Sequence, residues 1–531
     1  MRVKQKKIDD DISQNENNLN CVFSDLNFPA ESYLNNNNKH EALENFRKII
    51  DLGVQFKFRN KIAESASFDE LMKVFNETIP DAGMGMDQIL SLLEEKVLPY
   101  STNFSSPYAM AFPDAGNSIA AISGSLLSDL INQNLINWKP CAPVGTVIEV
   151  IVLNWLRKLV GFPYIENPQS PMDVGGMITT GGVSSNTISQ LIAREKALPC
   201  AMKEGVIDHN MVSIVPEGID HYSSRLAMGW LGLGEKNVIR APTVNFRYDL
   251  KALAEIMENL HKKNKKIMSL IAYAGDSRSM TCDNFIELRK LCDRYNVWLH
   301  ADGCHGTQLL FSKNLKHKLL GIEHADSITL DPHKVLNIPY VISVLLLKNT
   351  DDIKLIQRPE DIITGEKHSF GQVTPLFGSR AFFSLKLYML IKNLGVSGLA
   401  KVIEKRHYMA CLLADMISKR SNFCLINPEI TINSVMFMYR PEGIRWNKES
   451  VNKLNLLNST IQNELLSTGK IWLHNFNIPD LSNVFALGKE LIVRPLRFMS
   501  GNPNIEISHL EVMLDEVERC GEHLSYILKD E

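Results

Sequence analysis

Long apolar runs are missing from this 531-residue chain. The most apolar stretches, such as Val341-Ile342 resuming at Val344 to Leu347, stop far short of the ~20 residues that a membrane-spanning helix needs. The opening residues are polar and contain no apolar stretch of the kind a secretory leader carries, so none is expected. Cysteine is sparse: nine residues with no CxxC pair exclude a disulfide framework and fit reduced thiols in a cytoplasmic setting. An excess of charge of one sign is lacking too. With 57 Lys+Arg against 60 Asp+Glu and a net charge of -3, the chain has no electrostatic footprint for nucleic acid or an anionic membrane. No metal site is expected. What is there, 45% hydrophobic and 22% charged residues, is ordinary globular composition, and the length implies several packed units.

Residues 1–40 are rich in Asn, Asp and Lys, with Asn35 to Asn38 in a row. So polar a stretch buries too little apolar surface to order itself and reads as a disordered tail. Residues 41–110 form a helical segment: Leu43, Phe46 and Ile50 share a face, and Met86, Ile89, Leu92 and Leu93 repeat the spacing. These helices have little core of their own and need another surface. Residues 111–385 alternate strands (212–215, 267–274, 297–300 and 327–330) with helices (223–233, and the face Phe285, Leu288, Leu291, Cys292). The alternation predicts an α/β fold with a mostly parallel central sheet flanked by helices, whose ligands sit at the carboxyl ends of the strands. Residues 386–531 read as a small C-terminal α+β domain. It follows a long helix over 383–394 ended by Gly395, and holds strands at 434–439 and 491–497 and an amphipathic stretch over 507–526.

The chemistry lies at the predicted strand ends. Asp331-Pro332-His333-Lys334 follows the strand at 327–330, and burial there lowers the pKa of a lysine so that it attacks an aldehyde as a free amine. Upstream, Ala301-Asp302-Gly303-Cys304-His305-Gly306 places an aspartate beside glycines, where it either pairs with a protonated ring nitrogen or caps the next turn. Thr179-Thr180-Gly181-Gly182-Val183-Ser184-Ser185-Asn186 opens a helix, and glycines followed by Ser at a helix start make an anion site. His221 stacks on a ring or serves the fold alone. Each feature has a bland reading, and the signal is their order on successive strand ends.

In that order the residues resemble the group II pyridoxal-phosphate-dependent amino-acid decarboxylases, the family of glutamate, aromatic-amino-acid and diaminobutyrate decarboxylases. The resemblance spans roughly residues 106–521. It runs through Ser106-Pro107-Tyr108, Phe112-Pro113, Ala142-Pro143, Thr180-Gly181-Gly182, His221-Tyr222-Ser223, the Asp331-to-Lys334 box, Gly378-Ser379-Arg380, Leu496-Arg497 and Asn502-Pro503. It implies the PLP-dependent transferase fold (aspartate aminotransferase-like, fold type I), pyridoxal 5'-phosphate as cofactor, and a homodimer with the active site at its interface and residues 41–110 as the dimerisation segment. The implied reaction takes an L-amino acid to its amine through an external aldimine and a quinonoid. By resemblance Lys334 carries the cofactor, Asp302 holds its ring nitrogen protonated, and His221 stacks on one ring face and takes part in catalysis. Cys304 stands at the other face, where the family usually has Ala. Ser277 lies near the ring oxygen, Val183 and Ser184 contact the phosphate, and His333 supports the phosphate or orients the lysine. Arg497 matches an arginine that contacts the substrate carboxylate in glutamate decarboxylases, or else forms a structural ion pair.

Two departures from the family bear on the reaction. A mobile loop, here about residues 359–377, usually carries a tyrosine that protonates Cα; no tyrosine occurs between Tyr340 and Tyr388, and His368-Ser369-Phe370 stand there instead. His368 is the candidate catalytic donor in its place. Otherwise the proton comes from water or Lys334, or the carbanion meets O2 and yields an aldehyde, ammonia and peroxide. A further alternative is a PLP-binding regulatory protein of low activity. The second departure is Asp114, where the family often has Thr or Ser at the border of the substrate pocket. A carboxylate there favours a cationic side chain and repels an acidic one, unless it is only a turn residue. Phe112 and Trp138 suit an aromatic side chain.

Overall fold

The computed structural model describes residues 30–59, 61–139, 141–358, 367–373, 376 and 378–528. One compact unit holds the described residues up to Phe58 together with Ala66–Tyr100. Its helices are α1 (Lys39–Lys57), α2 (Phe68–Phe75) and α3 (Met86–Leu92). Most of the expected tail, through residue 29, lies outside the described residues, but the Asn run at its end is built into turns. Asn38 Oδ1 accepts from the Asn35 amide at 2.9 Å, and Asn38 Nδ2 donates to the Tyr33 carbonyl at 2.8 Å. Asparagine side chains thus replace water on the backbone just before α1. Ser67 and Glu70 form a capping box at the start of α2. None of the three helices has a buried residue, and Leu43, Phe46 and Ile50 stay 44%, 41% and 44% exposed. The predicted apolar stripe forms and stays partly exposed.

The second unit, Arg59–Ser65 and the chain from Ser101 onward, is built on a seven-stranded sheet. Its strands are β1 (Gly176–Thr179), β2 (Met211–Pro216), β3 (Val238–Ala241), β4 (Lys266–Tyr273), β5 (Trp298–Asp302), β6 (Ser327–Leu330) and β7 (Ser343–Leu347), in the spatial order β1-β7-β6-β5-β4-β2-β3. Neighbours from β3 across to β6 pair in parallel, whereas β7 is antiparallel to both β6 and β1. Strands β1, β2, β5, β6 and β7 are buried at every position, as a sheet covered on both faces requires. Among the flanking helices are α4 (Pro143–Val160), α5 (Gly182–Ala197) and α6 (Tyr222–Trp230), and a short helix α7 (Pro332–Val335) follows β6.

The helical stretch α8 (Ser384–Ser418) is two helices joined at a kink, and the first ends at Gly395 as expected. That residue breaks the helical geometry with φ 61° and ψ 179°, and the chain then resumes as helix. A four-stranded antiparallel sheet follows, of β8 (Phe423–Leu425), β9 (Ser434–Tyr439), β10 (His474–Asn475) and β11 (Leu496–Met499), in the order β8-β9-β11-β10. The strand expected over 491–497 is instead divided: Ile492–Val493 pairs with Ile478–Pro479, and β11 begins only after Pro495, which has no N–H to give a ladder. Helices α9 (Lys448–Ser467) and α10 (Ile507–His523) send Leu454, Ile461, Leu510 and Leu514 into one core with Val435 and Phe437. Among the described residues, no helix is long and apolar enough to cross a membrane.

One buried cation fastens α4 to the large sheet. Arg157, 1% exposed, donates to the carbonyls of Pro163 at 3.2 Å, Val174 at 3.2 Å, Leu347 at 2.5 Å and Lys348 at 3.2 Å. Burial pushes its pKa down to about 10. Removing the guanidinium leaves buried carbonyls without donors. Arg157→Met is therefore expected to destabilise the fold by about 3 kcal/mol, seen as a lower midpoint in urea unfolding.

Candidate active site

Helix α7 begins where β6 ends and brings Lys334 back over Asp331. Lys334 Nζ lies 2.8 Å from Asp331 Oδ2, and the Asp331 side chain is fully buried. Ser343 of β7 donates to Asp331 Oδ1 at 2.5 Å. Burial alone favours a neutral amine, but the Asp331 carboxylate outweighs it and raises the pKa of Lys334 above its ordinary value. This reverses the lowering expected from a strand-end position: the partner three residues upstream decides the sign. Burial works against ionisation of Asp331 as well, yet Lys334 and His333 together bring its pKa below the usual value.

At the end of β5, Asp302 is 5% exposed and held from behind. Its Oδ2 accepts from Asn186 Nδ2 at 2.8 Å, and its Oδ1 from the Cys304 amide at 3.2 Å. With Nδ2 turned to the carboxylate, Asn186 presents Oδ1 to Thr329 Oγ1 at 2.8 Å and to His300 Nε2 at 3.0 Å. That orientation makes Nε2 the protonated nitrogen of His300 and leaves Nδ1 to accept from Ser327 Oγ at 2.8 Å and Ser189 Oγ at 3.0 Å. Burial pushes the His300 pKa down to about 4, so the ring is neutral. The sequence reading missed Asn186 as a functional residue. Its signal was its place in the first turns of a helix opened by glycines, and nothing local shows that it reaches the end of another strand.

Helix α5 starts at Gly182, preceded by Gly181 at φ 140°. A Cβ on Gly182 would stand 2.7 Å from Cys304 Sγ and 2.8 Å from Asp331 Oδ2, so this approach needs glycine. His221 caps α6; its amide donates to Tyr273 Oη at 2.7 Å, and its Nδ1 lies 2.9 Å from Ser223 Oγ. Burial lowers the His221 pKa, partly offset by Asp302. Val183, Ser184, His221, Ser277, Asp302, Cys304, His333 and Lys334 all line one cavity of about 260 Å³.

The other candidate residues stand elsewhere. His368 packs edge-on against Trp138, ring centres 4.8 Å apart, and Ser369 Oγ accepts from the Trp138 amide at 3.1 Å; neither ring lines the Lys334 cavity. Within one chain, then, His368 is not brought to Lys334. Residues 359–366, 374–375 and 377 of the expected loop lie outside the described residues. Phe112 sits between Trp472 at 5.3 Å and His474 at 5.0 Å. Arg497, 3% exposed, donates to the Ala111 carbonyl at 2.9 Å and to the carbonyl of Ser277, bracing the cavity wall. It forms no ion pair among the described residues, which removes the structural ion pair weighed for it, and burial pushes its pKa down to about 10. Asp114 lies within electrostatic reach of Lys334 and His333.

A family model for the pyridoxal-dependent decarboxylase conserved domain matches residues 69–440. The chain belongs to this family. It is 26% identical over 473 residues to an aromatic-L-amino-acid decarboxylase of Bacillus atrophaeus, covering 87% of this chain and 91% of the relative. It is 25% identical over 479 residues to an L-2,4-diaminobutyrate decarboxylase of Acinetobacter baumannii, covering 86% and 89%. The crystal structure of mouse CSAD in apo form superposes with a TM-score of 0.81 at 22% identity, over 90% of this chain and 98% of that one. The architecture is accordingly the fold type I arrangement of PLP-dependent enzymes, and the chain is a PLP-dependent carboxy-lyase acting on an amino acid.

The cavity fits pyridoxal 5'-phosphate on its own chemistry. It offers an amine, a glycine cradle free of Cβ atoms at a helix start, and a buried carboxylate fixed by Asn186. Asn186→Ala is expected to free Asp302 and weaken PLP binding by about tenfold or more, measured by absorbance titration of the apoenzyme.

Proposed function

We propose that this decarboxylase converts an L-amino acid to its amine with Lys334, Asp302 and His221 at the centre of the site. The observation that carries the reading is the placement of Lys334 and Asp302 in one cavity with the glycine cradle. PLP, when bound, supplies the sink for the electron pair left as CO2 departs. The chain's residues bind and orient around it. Val183 and Ser184 meet the phosphate at the positive end of α5, and His333 supports them. Asp302 accepts from the ring nitrogen, His221 and Cys304 cover the two ring faces, and Ser277 lies at the rim beside Arg497. The substrate is met by Phe112, Asp114, Trp138 and Arg497. Lys334, kept as an ammonium by Asp331 2.8 Å away, stores the proton that replaces CO2 on Cα. We assign this role to Lys334 Nζ rather than to His368, whose ring rests on Trp138.

The working form is a cytoplasmic homodimer. The uncovered stripe of α1 supports an assembly in which residues 41–110 dimerise, followed by a PLP-binding domain over 111–385 and a small domain over 386–531. The described cysteines are all free thiols, in keeping with a reducing compartment.

Mass spectrometry of products from a panel of L-amino acids incubated in air with the PLP-loaded enzyme tests the reading. An amine with one CO2 lost is expected, and Lys334→Ala abolishes it. Aldehyde with peroxide would favour instead the oxygen-consuming reaction that the tyrosine-free stretch from 341 to 387 suggests. A second outcome concerns Asp331→Asn. Removing the carboxylate leaves burial to lower the Lys334 pKa, so more free amine is present at pH 7. Covalent capture of PLP by the variant apoenzyme should then be about tenfold faster than by the wild type, a shift of one pKa unit, when followed by absorbance.

A further inference from the structure

We propose that Asp114 selects the substrate, accepting the side-chain ammonium of a diamino acid. This rests on the decarboxylase reading above and names its substrate class. Family membership does not choose, since the relatives include both an aromatic-amino-acid and a diaminobutyrate enzyme.

The segment carrying Asp114 is held against the loop that follows Lys334. The Ser118 amide donates to the Asn337 carbonyl at 3.1 Å, and a Cβ on Gly116 would lie 3.8 Å from Pro339 Cα. On the other side, Gly501 packs so closely that a Cβ there would come within 2.3 Å of Pro113 Cα, and Arg497 holds the Ala111 carbonyl. The backbone of residues 111–116 is therefore held on both sides, which fixes where the Asp114 side chain starts. Its Oδ1 is sealed from water and has no hydrogen-bond donor among the described residues. A buried acceptor left without a donor is a deficit that a ligand can fill.

The charges around it identify the ligand. Lys334, His333 and the Tyr340 hydroxyl favour the Asp114 carboxylate, Asp331 opposes it, and burial exceeds their effect, so that its pKa rises. Arg406 and Arg497 also feel this carboxylate; Nη2 of Arg406 and Nε of Arg497 have no hydrogen-bond partner among the described residues, and their other bonded donors go to carbonyl oxygens. Arg406 bonds Ser500 and Val335, and Arg497 bonds Ser277 and Ala111, so neither closes an ion pair. An acidic side chain would add a like charge beside Asp114 and Asp331. An aromatic ring would leave Oδ1 unpaired. An ammonium group brings both donors and the missing charge.

The PLP-loaded enzyme is offered L-2,4-diaminobutyrate, L-ornithine, L-lysine, L-glutamate, L-phenylalanine and L-tryptophan, and each amine is quantified. Turnover of a diamino acid is expected, with kcat/KM for it lowered about 100-fold in Asp114→Asn while the PLP absorbance is kept. Asp114→Thr serves as a second variant should Asp114→Asn fail to fold. In parallel, 1,3-diaminopropane should raise the melting temperature of the wild type and not of the variants. Turnover of the aromatic or acidic substrates alone, or an unchanged kcat/KM in both variants, overturns the assignment. Should no amino acid lose CO2 while the diamine shift persists and depends on Asp114, the decarboxylase reading fails and the cation site stands; loss of that shift as well removes both.

Discussion

The hydrogen bond from Asn186 to Asp302 is the interaction on which the site depends. Asp302 ends one strand, Asn186 lies in the helix that opens on the glycine cradle, and Thr329 and His300 meet the other side of the same amide. One side chain thereby fixes the spacing between the cradle and the carboxylate, the two places proposed above to hold a phosphorylated ring. Because the amide has two distinct ends, the orientation of every partner follows from that of one. His300 must be neutral to fit, and its burial makes it so. The sheet contributes by aligning β5 and β6, parallel neighbours whose ends deliver Asp302 and the Asp331-to-Lys334 turn side by side.

Buried charge is handled in two ways around this centre. Lys334 is neutralised by a carboxylate three residues away, whereas Arg157, Arg406 and Arg497 are surrounded by backbone carbonyls with no acidic partner among the described residues. The carbonyl-bound arginines act as clamps between chain segments far apart in sequence, and burial lowers the pKa of each. The ion-paired lysine holds its proton firmly, because the carboxylate that stabilises the ammonium raises its pKa.

Much of this was legible in the chain. The four strands read from apolar runs exist within a residue or two of their expected ends, and the order of cradle, His221, Asp302 and Lys334 on successive strand ends led to their shared cavity. Three strands of the large sheet went unread. β1 begins with glycine, β3 is only half buried, and β7 was noted only as an apolar run, so each lacks the pattern a local window needs. The sign of the Lys334 shift was misjudged for a related reason: burial is visible in a sequence pattern, but a carboxylate folded back by one helical turn is not. Gly395 was legible, because a residue with no Cβ adopts the left-handed φ of 61° that ends the helix begun at Ser384. Trp138 was read as a substrate contact and His368 as a proton donor, and their packing against each other is a tertiary fact that no local window shows.

Helix α1 carries an apolar stripe whose Leu43, Phe46 and Ile50 stay partly exposed. In the homodimer proposed above, part of the free energy that orders this unit comes from the partner, and so it scales with how much of the covering surface is present. Protein concentration becomes a variable of the fold itself: on dilution these helices lose their support while the sheet and its cavity, built on their own buried core, keep theirs.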